Sequence, residues 1–163
     1  MRAHDDRMAT WKQFEKEAPE MAAAVRARFE ATKHHVLATV RRDGSPRVSG
    51  TEVAVIGDDL TAGSMGGSVK AKDLRRDGRF AIHANPGDGS MEGGDAKVSG
   101  RAVEVVDPDA LARYIGEVAP PEPFHLFVLD LDEAVLTSLH PDGDRLVIET
   151  WRPGADVKRV ERR

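Results

Sequence analysis

The stretch "HVLATVRRDGSPRVSGTEVAVIGDDLTAGS", residues 35–64, decides the fold. It is rich in β-branched residues, runs with a period near two, and is interrupted only at "RDGS" and "GDD". Such a pattern is that of short strands joined by tight turns. Asp43-Gly44 is a strong two-residue turn signal, because Gly tolerates the positive φ that a hairpin turn demands. Residues 35–56 therefore read as one hairpin, and "GDD" before Leu60 begins a second.

Upstream of this stretch the period changes. Thr10 can cap a short helix through "WKQFEKEA", and Pro19 fits the first position of a second helix, "PEMAAAVRARFEATK". Met21, Val25 and Phe29 share one face of it, with Arg28 at the edge. Downstream, Ser68 to Asp77 reads as helix and "RFAIHA", 79–84, as a buried strand. "NPGDGSMEGG", 85–94, is a Gly-rich loop, and "AKVSGRAVEVV", 96–106, alternates again. Asp107 and Pro108 open a helix over 108–118, which "APPEP" breaks. "FHLFVLDLDEAVLTSL" and "DRLVIETW" supply the last strands, joined at "HPDGD". Many strands, tight turns and few helices predict a mostly β, antiparallel barrel, a single domain over 1–163 with a helical segment at about 10–33.

Composition bounds the function. With 40% hydrophobic and 32% charged residues, a chain of 163 residues can build a real core and is not disordered. The absence of cysteine excludes disulfides, thiolate metal sites and thiol nucleophiles. No apolar run approaches the ~20 residues of a membrane span, and "MRAHDDRMATWKQ" lacks a signal-peptide core, so a soluble, cytoplasmic protein is expected. A net charge of −4, with one Tyr and five Phe, argues against a nucleic-acid-binding barrel. The six histidines form no HxxxH or HExxH pair, so a catalytic zinc is not expected. His34 and His35 should face opposite ways on a strand, His83 and His125 should be core histidines, and His4 and His140 should be exposed.

Against that acidic background, "GSVKAKDLRRDGR", 67–79, holds five cations: Lys70, Lys72, Arg75, Arg76 and Arg79. With Ser68 as N-cap, Lys70 falls at the second helical position and Lys72 at the fourth. The helix start already carries about half a positive charge, which disfavours cations there by roughly 0.3–1 kcal/mol each. An anion would resolve the conflict, bound by free backbone N–H groups, the Ser68 hydroxyl and the Lys70 ammonium. A solvated helix face is the competing reading. The order Val69-Lys70-Ala71 does not match an ATP-type loop, and "GSMGG" matches neither a dinucleotide fingerprint nor a nucleophile elbow.

Four stretches in order resemble the flavin-binding split-barrel superfamily of pyridoxamine 5'-phosphate oxidase. They are "LATVRRDGSPRVSGTEV", "SVKAKDLRRDGR", "KVSGRAVEV" and "VIETWRPGADVKRVERR", and the likeness spans about residues 30–163. In the second, Gly78 stands where the family's "RDPR"-type turn has Pro. The resemblance implies an antiparallel split β-barrel, a homodimer with cofactor at the interface, and FMN as cofactor, with the deazaflavin coenzyme F-420 as the alternative. It places Ser68 and Lys70 on the phosphate with Lys72 beside them, and Arg47, Val48 and Ser49 along the flavin. Trp151 and Arg159 would approach from the partner subunit. It implies an oxidoreductase acting on a small molecule, or a flavin carrier on the same fold. Some relatives handle haem, which keeps a haem ligand open. The full set of basic residues that would hold a second, substrate phosphate is not found.

Overall fold

The computed structural model describes residue 5 and residues 7–163; His4 lies outside the described residues. Two short helices lead, α1 (Trp11–Glu17) and α2 (Pro19–Ala31). Thr10 caps α1 by accepting from the Gln13 amide, and Pro19 opens α2 as expected. The strands are β1 (His35–Val40), β2 (Pro46–Thr51), β3 (Val53–Ile56) and β4 (Asp59–Met65). Helix α3 (Val69–Arg76) leads to β5 (Arg79–His83) and β6 (Asp95–Glu104). Then come α4 (Pro108–Val118), the long β7 (Phe124–Leu139), β8 (Leu146–Trp151) and β9 (Lys158–Arg162).

All pairings are antiparallel and run β2-β1-β5-β6-β7-β4-β3, with β8 on β7 and β9 on β8. The sheet curls but does not close, which is the split barrel the sequence predicts. The hairpin of residues 35–56 is shorter than expected: β2 ends at Thr51, and Val53–Ile56 leaves to pair β4. The long β7 makes the split. Its first part, Phe124–Leu129, pairs β4, and its last part, Ala134–Leu139, pairs β8, while β6 follows the length between. The change of partner falls at a bulge between Ser99 and Gly100. A Cβ at Gly100 would collide with the Asp130 carbonyl, so glycine lets β6 stay close to β7 at the bend.

The core lies inside the curl and under α1 and α2. Trp11, Phe14, Val25, Leu37, Leu60, Ile82, Val98, Phe127, Leu129, Leu131 and Trp151 are its largest fully buried apolar members. Phe14 meets Trp11 edge-on at 5.3 Å and Trp151 at 4.5 Å, so α1 is fixed by aromatic packing. No helix of the described residues is long and apolar enough to cross a membrane.

Candidate functional site

The basic helix is mostly neutralised from within. Arg75 grips Glu104 of β6 with two bonds of 2.6 Å. Arg76 pairs with Asp73 at 2.9 Å and Arg79 with Asp77 at 2.7 Å. Lys70 and Lys72 have no carboxylate partner among the described residues, and Lys72 is exposed. The five cations of the sequence therefore reduce to two, both in the first half of α3.

The start of α3 is built as expected. Ser68 is the N-cap, and its Oγ accepts from the Ala71 amide at 3.3 Å. The amides of Val69 and Lys70 have no acceptor within the helix, as at any helix start. Ser64, on β4, lies hydroxyl to hydroxyl with Ser68 at 2.5 Å. When Ser64 donates in that pair, the Ser68 proton is free for a ligand. Lys70 Nζ donates to the Gly50 carbonyl of β2 at 2.6 Å, which ties the ammonium to the β2 edge and leaves two protons unused. Burial pushes the Lys70 ammonium down from its ordinary pKa, and the nearby Glu52 charge only partly opposes this.

Lys70 lines a cleft of about 660 Å³. Gly50, Thr51 and Glu52 form one wall with Lys33 and His34; Gly63, Ser64 and Met65 form the floor. Tyr114, Val118, Ala119, Pro120, Pro121 and Phe124, from α4 and the segment after it, form an apolar wall opposite. Tyr114 packs on Phe124 with ring centroids 5.6 Å apart. Its hydroxyl lies over Gly63 where any side chain would collide with it. Burial, with the Glu52 charge, pushes the Tyr114 phenol up. The result is a half-open slot, apolar on one side, with a cation and hydroxyls at one end. Its size is that of a slot for a cofactor-sized molecule.

The other residues expected at the site divide. Ser49 points inward beside the Lys70 tether, and its Oγ is buried with no hydrogen-bond partner. Val48 faces the other way and is 69% exposed. Arg47 faces inward but is engaged: its Nε donates to Asp73 at 2.7 Å, beneath α3. Asp73 also accepts from Arg76 and from Thr39 at 2.8 Å. Arg47 is thus a strut between β2 and α3, where the resemblance set a flavin contact. Trp151 is fully buried against Phe14 within its own chain, so it does not project toward a partner subunit. Arg159 sits on the exposed β9, 3.6 Å from Glu161.

The histidines follow a similar split. His35 is buried, its Nε2 on the Phe29 carbonyl and its Nδ1 accepting from the Asn85 amide, while His34 faces the cleft. His83 is partly buried, with its Nδ1 on the Ala84 carbonyl at 2.5 Å. His140 is not exposed as expected: Arg145 reaches its Nε2 at 2.8 Å inside the β7–β8 turn. His125, expected in the core, is only partly buried and accepts from the Gly67 amide at Nε2, while Tyr114 and Glu104 escaped the sequence reading. For Tyr114, the single tyrosine of the chain, the one available signal was its place on a helix just before "APPEPF".

A sequence family described as Pyridoxamine 5'-phosphate oxidase matches residues 21–138. No curated protein matches the chain. Among solved structures, a pyridoxamine 5'-phosphate oxidase-related, FMN binding protein from Nostoc punctiforme is 14% identical with a TM-score of 0.63, covering 90% of this chain and 96% of that one. PhzG from Burkholderia lata, in complex with tetrahydrophenazine-1-carboxylic acid, is 21% identical with a TM-score of 0.56 over 89% of each chain. A heme binding protein from Mycobacterium smegmatis is 19% identical with a TM-score of 0.53, over 85% of this chain and 57% of that one. At these identities the likeness is one of fold.

Proposed function

Because the chain belongs to the pyridoxamine 5'-phosphate oxidase family, we propose that it is a flavin-binding oxidoreductase that uses FMN and acts on a small molecule. The observation that carries the reading is Lys70: a half-buried ammonium without a carboxylate partner among the described residues, at a helix start, opening on a cleft of about 660 Å³. Lys70, the Ser68 hydroxyl and the free amides of α3 would hold the phosphate, with Lys72 adding charge from the exposed side. Ser49 Oγ, buried without a partner, is a further polar group that a ligand could satisfy. The apolar wall of Tyr114 and Phe124 suits one face of an aromatic ring system. Bound FMN supplies the hydride and electron chemistry; this chain supplies binding, orientation and exclusion of water.

The reading includes a second copy of the chain. Met65, at the cleft floor, is 79% exposed, and Val48 and Val69 are exposed beside the Lys70 tether. A partner subunit would cover these side chains and close the half-open cleft. Haem is the competing ligand, because two fold neighbours are named for it and because His34 lines the same cleft. Titrating the purified, cofactor-stripped protein with FMN, coenzyme F-420 and haemin at one salt concentration separates the readings. Tight FMN binding that Lys70→Met weakens by about 1.5–3 kcal/mol, the range for a charge-assisted hydrogen bond, supports the proposal. An unchanged dissociation constant in that variant sinks the phosphate assignment. Preference for F-420 moves the protein to deazaflavin chemistry, and haemin binding alone overturns the flavin reading.

A further inference from the structure

The turn that launches α3 is held from the sheet by one imidazole. Residues 65–68 are "MGGS", and three successive amides of this turn are engaged. Gly66 N–H donates to the Pro123 carbonyl at 2.9 Å, and Ser68 N–H donates to the Met65 carbonyl at 3.1 Å. Between them, Gly67 N–H donates to His125 Nε2 at 3.1 Å. Gly67 has a φ of +72°, so the turn itself needs glycine there.

That bond fixes the tautomer of His125. A backbone amide can only donate, so Nε2 must be the bare nitrogen and Nδ1 must carry the proton. Nδ1 lies 3.2 Å from Glu104 Oε1, an acceptor, and donates to it. Glu104 is locked in turn by both arms of Arg75; Arg75 Nη2 lies 3.0 Å from Nδ1 but, being a donor like Nδ1–H, makes no hydrogen bond to it, and the two converge on Glu104 Oε1. The Arg75 bonds hold the Glu104 carboxyl below its ordinary pKa, so it stays an acceptor. The chain of contacts starts in the last turn of α3, crosses β6 and β7, and returns to the turn before its first residue.

We infer that His125 is a positioning residue for the phosphate end of the bound cofactor: by accepting from Gly67 N–H it sets the turn that aims Ser68 and the free amides of α3. It touches no ligand itself and acts through Gly67. The inference rests on the FMN reading above.

The test compares wild type with His125→Phe, which keeps a ring and removes the acceptor, and His125→Gln, whose amide oxygen can restore it. Thermal melts check folding, and His125→Leu replaces the phenylalanine variant if that one is unfolded. Two quantities are read: the FMN dissociation constant, and the hydrogen-exchange rate of the Gly67 amide by NMR. His125→Phe is expected to bind FMN about three- to tenfold more weakly, within the range for one neutral hydrogen bond, and to exchange faster at Gly67. His125→Gln should recover both. A purely packing role would leave the glutamine variant as impaired as the phenylalanine one, which overturns the inference. So does an unchanged dissociation constant in folded His125→Phe. If wild type does not bind FMN, the cofactor reading fails separately; equal Gly67 exchange in all three proteins then overturns the role of the imidazole in the turn.

Discussion

Removing the charge of Asp73 should cost this protein a large part of its stability. Its side chain is 3% exposed and receives three hydrogen bonds, from Arg47 Nε at 2.7 Å, Thr39 Oγ1 at 2.8 Å and Arg76 Nη2 at 2.9 Å. These come from β2, β1 and α3 itself, so one carboxylate fastens the helix to the hairpin. Asp73→Asn keeps the shape but puts an N–H2 group against at least one donor. Its best orientation turns the oxygen toward Arg47 and Thr39 and the nitrogen toward Arg76. Breaking a buried ion pair by removing one partner costs about 3–5 kcal/mol. Here Arg47 is 24% and Arg76 30% exposed, so both can regain some water, and the expected loss is about 2–4 kcal/mol. For a domain of this length that lowers Tm by about 4–16 °C.

Urea unfolding is the assay. The midpoint should fall with an unchanged slope, because the native and unfolded surfaces stay the same. The pH dependence gives an independent check. Burial raises the Asp73 carboxyl, but the bonds from Arg47, Arg76 and Thr39 outweigh it and hold the group below its ordinary value. A depressed folded-state pKa contributes stability that is complete above the unfolded value, about 3.9, and is lost as pH falls through the folded value. The gap between wild type and Asp73→Asn should therefore be flat near neutrality and narrow in acid. A difference under about 0.5 kcal/mol at pH 7, the scatter of ordinary surface substitutions, would refute the reasoning.

Lys70, whose ammonium burial pushes down, must be charged to hold phosphate, so FMN affinity should fall as pH rises through its titration, below the ordinary lysine range; Lys70→Met should lose that alkaline dependence in the same titration. His35 is buried neutral, with desolvation pushing its pKa down from 6.5. Stability should decline as pH drops from about 6.5 toward its folded value, and a midpoint against pH that is equally steep in His35→Gln would contradict this. Gly100→Ala drives a Cβ into the Asp130 carbonyl of β7, where no side chain can give way, so urea unfolding should show a loss of about 3 kcal/mol, the upper end for overpacking. Val48→Asp places a charge on the face assigned to the second copy and should shift the protein toward monomer in sedimentation velocity.

The fold was legible because its signals are local. Asp43-Gly44, the caps at Thr10, Ser68 and Asp107, and Pro at 19 and 108 act within a few residues, and each stands where expected. The resemblance set Arg47, Val48 and Ser49 alike along the flavin, but on β2 Arg47 and Ser49 share the half-buried face and Val48 takes the exposed one. What alternation cannot reveal is which group waits opposite. Arg47 reads the same whether it meets a flavin or Asp73, which is 26 residues away in sequence. Trp151 reads the same whether it closes a cofactor site or fills the core, since Phe14 arrives from the opposite end of the chain. The length of the first hairpin was misjudged for a related reason: Glu52, between β2 and β3, carries no turn signal, and only pairing with β4 ends β2 at Thr51.

The basic helix shows how charge counting and charge placement differ. From sequence, five cations in thirteen residues leave an anion site at the helix start and a solvated helix face as competing readings. In the fold, each arginine from the second half of the segment is matched by a carboxylate: Glu104, Asp73 and Asp77. Glu104 comes from β6 and Asp73 from within the helix, so composition alone could not cancel them. What is left is one half-buried ammonium and one exposed one at the helix start. Arg75 and Arg76 lie in the last turn, where the dipole favours them, so their matching costs the helix nothing in charge order. The unmatched pair lies where the dipole opposes it. A helix whose favourable cations are neutralised and whose unfavourable ones are left open suits the compact, locally bound anion proposed above. That arrangement separates a phosphate site from a polyanion surface, which would need the outer arginines free as well.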